Sequence, residues 1–277
     1  MKQILLALMM GVAVLNVSAQ PLKTPAPSST QIIKQELGLG TVELSYSRPN
    51  IKGRKIFGDL VPFGKVWRTG ANSATTLTFT EEVTVGGTKL APGKYGLLTI
   101  PEADSWTLII TKQLDVTSPA AYKQSEDLVR IKAPVFTMKD PLETFTMQFG
   151  DIKPASTNLY LLWANTGVSL PITTDVDTKV SAQIKTLMEK DNRPYFNAAM
   201  YYMDNGKDLN QALTWLNKAA EQDPNAFWVL HQKANCLAKL GKKEEAKAAA
   251  MKSIEVAKVA KNDDYVALNE KLLATLK

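Results

Sequence analysis

The residue types most able to do chemistry crowd between Ser47 and Asn72, where Arg48, Arg54 and Arg68 are interleaved with Asn50, Phe57, Asp59, Trp67 and Asn72. Arginine forks hold carboxylates, phosphates and sugar acids through paired hydrogen bonds, and the face of Trp67 or Phe57 can stack on a ring. Asn72 offers a donor and an acceptor, Asn50 is a second amide in the stretch, and Asp59 is the carboxylate there that can serve as acid or base. Three readings compete: a ligand site, a catalytic site, and a brace. In the brace, guanidinium groups satisfy backbone carbonyls while the two aromatic rings plug the edge of a core.

Elsewhere the chain is poor in catalytic groups. The sole histidine, His231, lies in a helical pattern between Leu230 and Ala234 and is expected on a helix surface, so neither a Ser-His-Asp triad nor a multi-histidine zinc site can be assembled around the arginines. Cys236 is the only cysteine, which rules out an intramolecular disulfide and suits a small buried hydrophobe. Glu81 and Glu82 are adjacent and point to opposite faces if extended. No phosphate loop of the expected glycine spacing occurs. The expectation is no metal and no cofactor. The formal charge of +6 is spread along the chain and densest on the C-terminal lysines, as on a solvated face, so nucleic acid is not expected as a partner.

A loop of this kind needs a frame, and the flanking sequence reads as strands. Val42, Leu44 and Tyr46 alternate with Glu43, Ser45 and Ser47; Leu77 and Phe79 repeat the pattern; Val83 and Val85 run into a Gly86-Gly87 hairpin turn. Lys89–Leu98 and Trp106–Thr111 continue the series, punctuated by Ala91-Pro92-Gly93 and Pro101-Glu102-Ala103-Asp104. Further strands are expected near 129–136, 144–152, 158–164 and 168–172. They are separated by Lys139-Asp140-Pro141, Pro154-Ala155-Ser156 and Asn165-Thr166-Gly167, the last read as the clearest hairpin. Ser118–Asp127 reads as a short helix with Ser118 as cap and Pro119 at its first position.

Near Thr173 the apolar period changes from two to roughly 3.6, with Val180, Ile184, Leu187 and Met188 on one face and Thr174 or Asp175 as cap. Two later segments are self-similar at an offset of about 34 residues. Ala199, Tyr202 and Gly206 match Ala234, Leu237 and Gly241, while Ala212, Leu216 and Ala219 match Ala246, Ala250 and Ser253. That spacing resembles the tetratricopeptide repeat, with Pro224 ending the first unit, one extra residue between Gly206 and Ala212, and Val256–Leu276 as a capping helix. The expected fold class is therefore α+β in two domains: an antiparallel β-sandwich-like domain over 31–173 and an α-helical tetratricopeptide-like tail over 174–277. Ahead of them, residues 1–19 read as a signal peptide, with Lys2, an apolar run from Ile4 and a cleavable Val17-Ser18-Ala19, and residues 20–30 as a flexible leader. The apolar run is too short to span a bilayer, so no stable transmembrane segment is expected after cleavage.

The motifs Arg48-Pro49, Lys52-Gly53-Arg54, Ile56-Phe57-Gly58, Val61-Pro62, Trp67-Arg68-Thr69-Gly70-Ala71-Asn72 and Leu90-Ala91-Pro92-Gly93-Lys94-Tyr95 together resemble an exported family of Bacteroidota-type bacteria, domain of unknown function 2911. The resemblance covers roughly Ile33 to Ile172. It implies an exported protein with a β-domain, sometimes followed by helical repeats, and implies no activity.

The functional expectation is an exported, non-catalytic binding or scaffolding protein of the periplasm or cell envelope. Its helical repeats would bind another envelope protein or peptide, with Tyr195, Tyr201, Tyr202 and Trp228 as candidate contacts, although residues at that spacing also serve as core. The alternative is a hydrolase or a small-anion or sugar-processing enzyme using the Arg48–Asn72 loop, with Arg54 and Arg68 clamping an anion and Asp59 as acid or base.

Overall fold

The computed structural model describes residues 24–190 and 193–276; the expected signal peptide lies outside the described residues. The chain divides into two units, Met1–Thr174 and Asp175–Lys277, one residue beyond the expected boundary.

The first unit is a sandwich of two antiparallel sheets, formed by β1 (Ser29–Leu37), β2 (Gly40–Arg48), β3 (Thr75–Phe79), β4 (Val83–Val85), β5 (Thr88–Leu90), β6 (Gly93–Pro101), β7 (Ser105–Thr111), β8 (Asp127–Pro134), β9 (Phe136–Lys153) and β10 (Ser156–Thr173). One sheet runs β1-β2-β3-β6-β7-β8 and the other β5-β4-β10-β9. Strand β1 takes in Ser29 and Thr30, the end of the expected leader, which pair with Arg48 and Ser47. The alternation read from β2 is real: Val42, Leu44 and Tyr46 are buried against the facing sheet. Ser47 breaks it, because its side chain is also buried.

The inner faces of both sheets meet in one core, with Leu77, Phe79, Trp106 and Leu108 on one side and Phe145, Met147, Leu161, Trp163 and Leu170 on the other. A smaller cluster, Ala74, Leu98, Ile109 and Val116, covers the outer face of the six-stranded sheet. The chain over it is not the expected helix but two 3₁₀ turns, Pro119–Ala121 and Gln124–Glu126. Pro119 does open the first, yet Ser118 makes no side-chain capping bond.

The largest correction concerns β9 and β10. Asn165-Thr166-Gly167 is no hairpin; it lies inside the eighteen-residue β10, and Lys139-Asp140-Pro141 lies inside β9. Thr166 and Gly167 pair with Thr137 and Phe136, and the turn chemistry is absorbed as register shifts around Ala164, whose φ is 50°. The true turn is at Pro154-Ala155, where Lys153 pairs with Ser156.

The second unit contains α1 (Val176–Met188), α2 (Tyr195–Asp204), α3 (Leu209–Gln222), α4 (Phe227–Lys239), α5 (Lys243–Val259) and α6 (Asp263–Thr275). Asp175 caps α1 by accepting from the Thr178 amide. On α1 only Ile184 is buried, and Leu187 is exposed, so its apolar face is narrower than expected. The repeat correspondence holds in burial at most positions: Ala199, Ala212, Leu216, Ala234, Ala246, Ala250 and Ser253 are all fully buried, while Tyr202 is only half-buried where its match Leu237 is buried. Gly206 and Gly241 occupy matching left-handed turns, at φ 65° and 75°. The extra residue of the first unit supplies Asp208, which caps α3. The expected capping helix is shorter than read: α5 runs on to Val259, and α6 starts afresh behind the Asn262 cap.

Candidate functional site

Residues 49–74, between β2 and β3, are held by sheet-like bonds at both ends. Pro49–Ile51 lies along β9, with the Ile51 amide donating to Glu143 O at 2.8 Å and the Phe145 amide to Pro49 O at 2.8 Å. Arg48 fastens the same seam, donating from Nε to Phe145 O at 3.2 Å and from Nη2 to Thr146 Oγ1 at 3.0 Å. Tyr46 adds a third tie between the sheets, accepting from the Met147 amide at 2.8 Å. Farther on, Trp67 and Thr99 exchange both backbone bonds, at 2.7 and 3.0 Å, and the Gly64 amide donates to Pro101 O at 2.9 Å. The loop thereby extends β6 where β3, which begins opposite Leu97, no longer reaches.

Between these ties Ile56 and Val61 are buried, and Phe57 enters an aromatic cluster, 4.8 Å from the Trp106 ring. The chain then returns through a strained corner. Thr69 is β-branched, fully buried and at φ 58°, a conformation such residues rarely adopt. It is held there by Thr99 Oγ1 at 3.2 Å and by Thr75 Oγ1 donating to its carbonyl at 2.5 Å. Gly70, at φ 148°, has no substitute: a Cβ would stand 2.8 Å from Ser47 O. Asn72, also left-handed at φ 58°, donates to Ser28 O at 3.1 Å and Ser47 Oγ at 3.3 Å.

This path leaves a cavity of about 480 Å³ between the loop and residues 117–119. Trp67 and Trp163 line it, their rings stacked at 5.9 Å and 16°. Four cations line it, Lys52, Arg54, Lys65 and Arg68, and no carboxylate does. Among the described residues none of the four side chains forms an ion pair. Arg54 donates from Nε to Ile51 O at 2.9 Å and from Nη2 to Asn50 O at 2.6 Å, folding back over its own turn. Arg68 donates from Nη1 to Thr117 O, which pins the opposite wall, while its Nε is buried without an acceptor among the described residues.

The residues expected from sequence thus separate. Asn50, Arg54, Trp67 and Arg68 line the cavity; Arg48, Phe57 and Asn72 are built into the frame; Asp59 is exposed and outside the lining. Asn50 is also tied down, its Oδ1 accepting from Thr144 Oγ1 at 2.7 Å. Sequence reasoning passed over Lys52 and Lys65, although both lie in the motif stretch. Trp163 and Thr117 come from distant segments that no local pattern links to the loop. Thr117 belongs to a segment fastened by Tyr122, which donates to Asp127, itself paired with Arg130 at 2.7 Å. Burial and then the Asp127 carboxylate push the Tyr122 phenol up to about 12.

In the helical unit the four aromatic candidates are unequal. Tyr201 donates to Asp177 at 2.8 Å, Tyr202 packs on Trp215 at 4.7 Å, and Tyr195 is partly buried against the α2–α3 core. Trp228 is 38% exposed. His231 is not on a helix surface as expected. It is buried, with Nδ1 2.9 Å from Asn269 Oδ1 and Nε2 3.0 Å from Asn235 Nδ2. Asn269 donates onward to Ser253 Oγ at 2.9 Å, and Ser253 donates to Phe227 O, so α4, α5 and α6 share one polar network. Cys236 is buried as expected, and burial raises its thiol above the usual range.

Among the described residues no group of three His, Cys, Asp or Glu is placed to hold a metal, and no helix is long and apolar enough to cross a membrane. No curated protein and no solved structure matches the chain. A tetratricopeptide-repeat model matches residues 215–248, from within α3 through α4 into α5. The model described as "Protein of unknown function (DUF2911)" matches residues 28–172, just over half of the chain and nearly all of the sandwich with its cavity, and the chain belongs to that family.

Proposed function

We propose that this chain is an exported, non-catalytic binding and scaffolding protein of the bacterial periplasm or cell envelope, whose helical repeats dock a segment of another envelope protein. The observation that carries the reading is the repeat stack itself: the matched residues 215–248 lie in a series of helices packed through buried alanines, an architecture whose common use is to bind parts of other proteins. Trp228 on α4 and Met251 on α5, exposed at 38% and 57%, are apolar side chains available to a partner. Export rests on the N-terminal sequence, with its basic residue, apolar run and small-residue cleavage site. The enzymatic alternative gains nothing from the cavity, because Asp59 is not in its wall and no other carboxylate is.

Immobilised full-length protein and a Trp228→Ala variant, checked for an unchanged melting curve, would be offered solubilised envelope extract. The expected result is a defined protein retained by the parent and at least several-fold less by the variant; equal retention by both removes Trp228 from the docking surface. Mass spectrometry of the mature protein from its native cells is expected to show an N-terminus at Gln20, and an intact Met1 in the soluble cell interior would contradict export.

A further inference from the structure

The cavity of the sandwich calls for an occupant of its own, independent of whatever the helical repeats dock. We propose that it is a binding site for a small organic oxyanion, a carboxylate or phosphate carried on a ring-bearing body. Four cations line one concavity and no carboxylate does; Glu143, outside the lining, accepts from the Lys52 amide at 2.8 Å, which leaves the wall itself with an excess of positive charge for an anion. Arg68 lines the cavity with Nη1 committed to Thr117 O and with Nη2 making no hydrogen bond among the described residues; Nη2, unlike the sealed Nε, is the donor a ligand oxygen can reach.

The rest of the wall decides against a bare ion. Leu60, Val61, Val66, Trp67 and Trp163 make it largely apolar, and about 480 Å³ falls within the range of small-molecule sites, far more space than an inorganic oxyanion fills. The position of Arg68 is also fixed at a cost. The residues that follow it, Thr69 and Gly70, hold left-handed or otherwise restricted conformations, and such strain tends to collect where a side chain must be aimed.

The test uses full-length protein in isothermal titration calorimetry with benzoate, glucuronate and glucose 6-phosphate, and with glucose and inorganic phosphate as controls. The expected result is saturable one-to-one binding of at least one organic anion, at least ten-fold tighter than glucose or inorganic phosphate; whether a carboxylate or the phosphate ester wins identifies the head group. Lys52 and Lys65 are exposed and carry no brace, so K52Q/K65Q is expected to melt like the parent and bind about ten-fold more weakly. R68Q is expected to lose binding altogether. Absence of binding by all three anions, inorganic phosphate binding as tightly as the best of them, or unaltered binding by the folded K52Q/K65Q variant would each overturn the proposal, and none of these outcomes bears on partner capture by the helical repeats.

Discussion

At the scale of single residues, chemically similar side chains of the motif have different tasks, and the neighbours of each decide which. Arg48 spends its donors on Phe145 O and Thr146 Oγ1 across the two sheets, whereas Arg68 gives one to Thr117 O and keeps a buried one unmatched. Nothing in the sequence distinguishes these arginines, because the carbonyls that claim them lie some 50 to 97 residues away. The four glycines of the stretch are legible in the sequence, and Gly53, Gly58, Gly64 and Gly70 all hold positive φ, but Lys52, Thr69 and Asn72 do so as well without a glycine to signal it. Gly70→Ala places a Cβ against Ser47 O and is expected to destabilise by about 2–3 kcal/mol in denaturant unfolding. Tyr122 supplies a pH dependence. Its phenol is displaced upward from 10.0 to about 12, so the fold favours the protonated form. That contribution is intact below pH 10.0 and is lost as the pH rises towards about 12, so stability should fall across this window and fall less in Tyr122→Phe. Cys236, buried and with its thiol raised, is expected to resist alkylation at neutral pH until the helices unfold; rapid labelling of the native protein would contradict its placement.

At the scale of elements, periodicity located most strands and helices, and turn chemistry misled where pairing was strong enough to absorb it. Asn165-Thr166-Gly167 has the composition of a hairpin, yet Leu161, Trp163 and Val168 on either side are buried in one core, and a continuous β10 keeps all three inside. The glycine there serves close packing instead: a Cβ on Gly167 would stand 2.3 Å from the Phe136 ring. His231 was misread for a related reason. Its partner Asn269 lies on the last helix, 38 residues away, and no local pattern reports a polar network crossing three helices. Asn269→Leu leaves the His231 ring and Ser253 without that partner, and is expected to cost the helical unit about 2–3 kcal/mol, seen as an earlier loss of helical circular dichroism.

At the scale of the molecule, each unit has a core of its own, and the family match ends at Ile172, just before the boundary at Thr174. A fragment of residues 24–174 is therefore expected to fold alone, with a β-type spectrum and a cooperative melt; an unfolded fragment would contradict the division. The central claim is that in this chain Arg48 braces the sandwich, the Lys52 and Lys65 side chains line its cavity without bracing it, and Arg54 and Arg68 do both. Thermal unfolding of the full chain carrying either Arg48→Met or K52Q/K65Q tests it most directly. Loss of the Arg48 bonds is worth about 2 kcal/mol, a fall of roughly 4–8 °C in Tm, while the cavity lysines should leave the melt within about 1 °C of the parent. Equal destabilisation by both variants, or a stable Arg48→Met protein beside a destabilised lysine variant, would contradict the separation of brace from site.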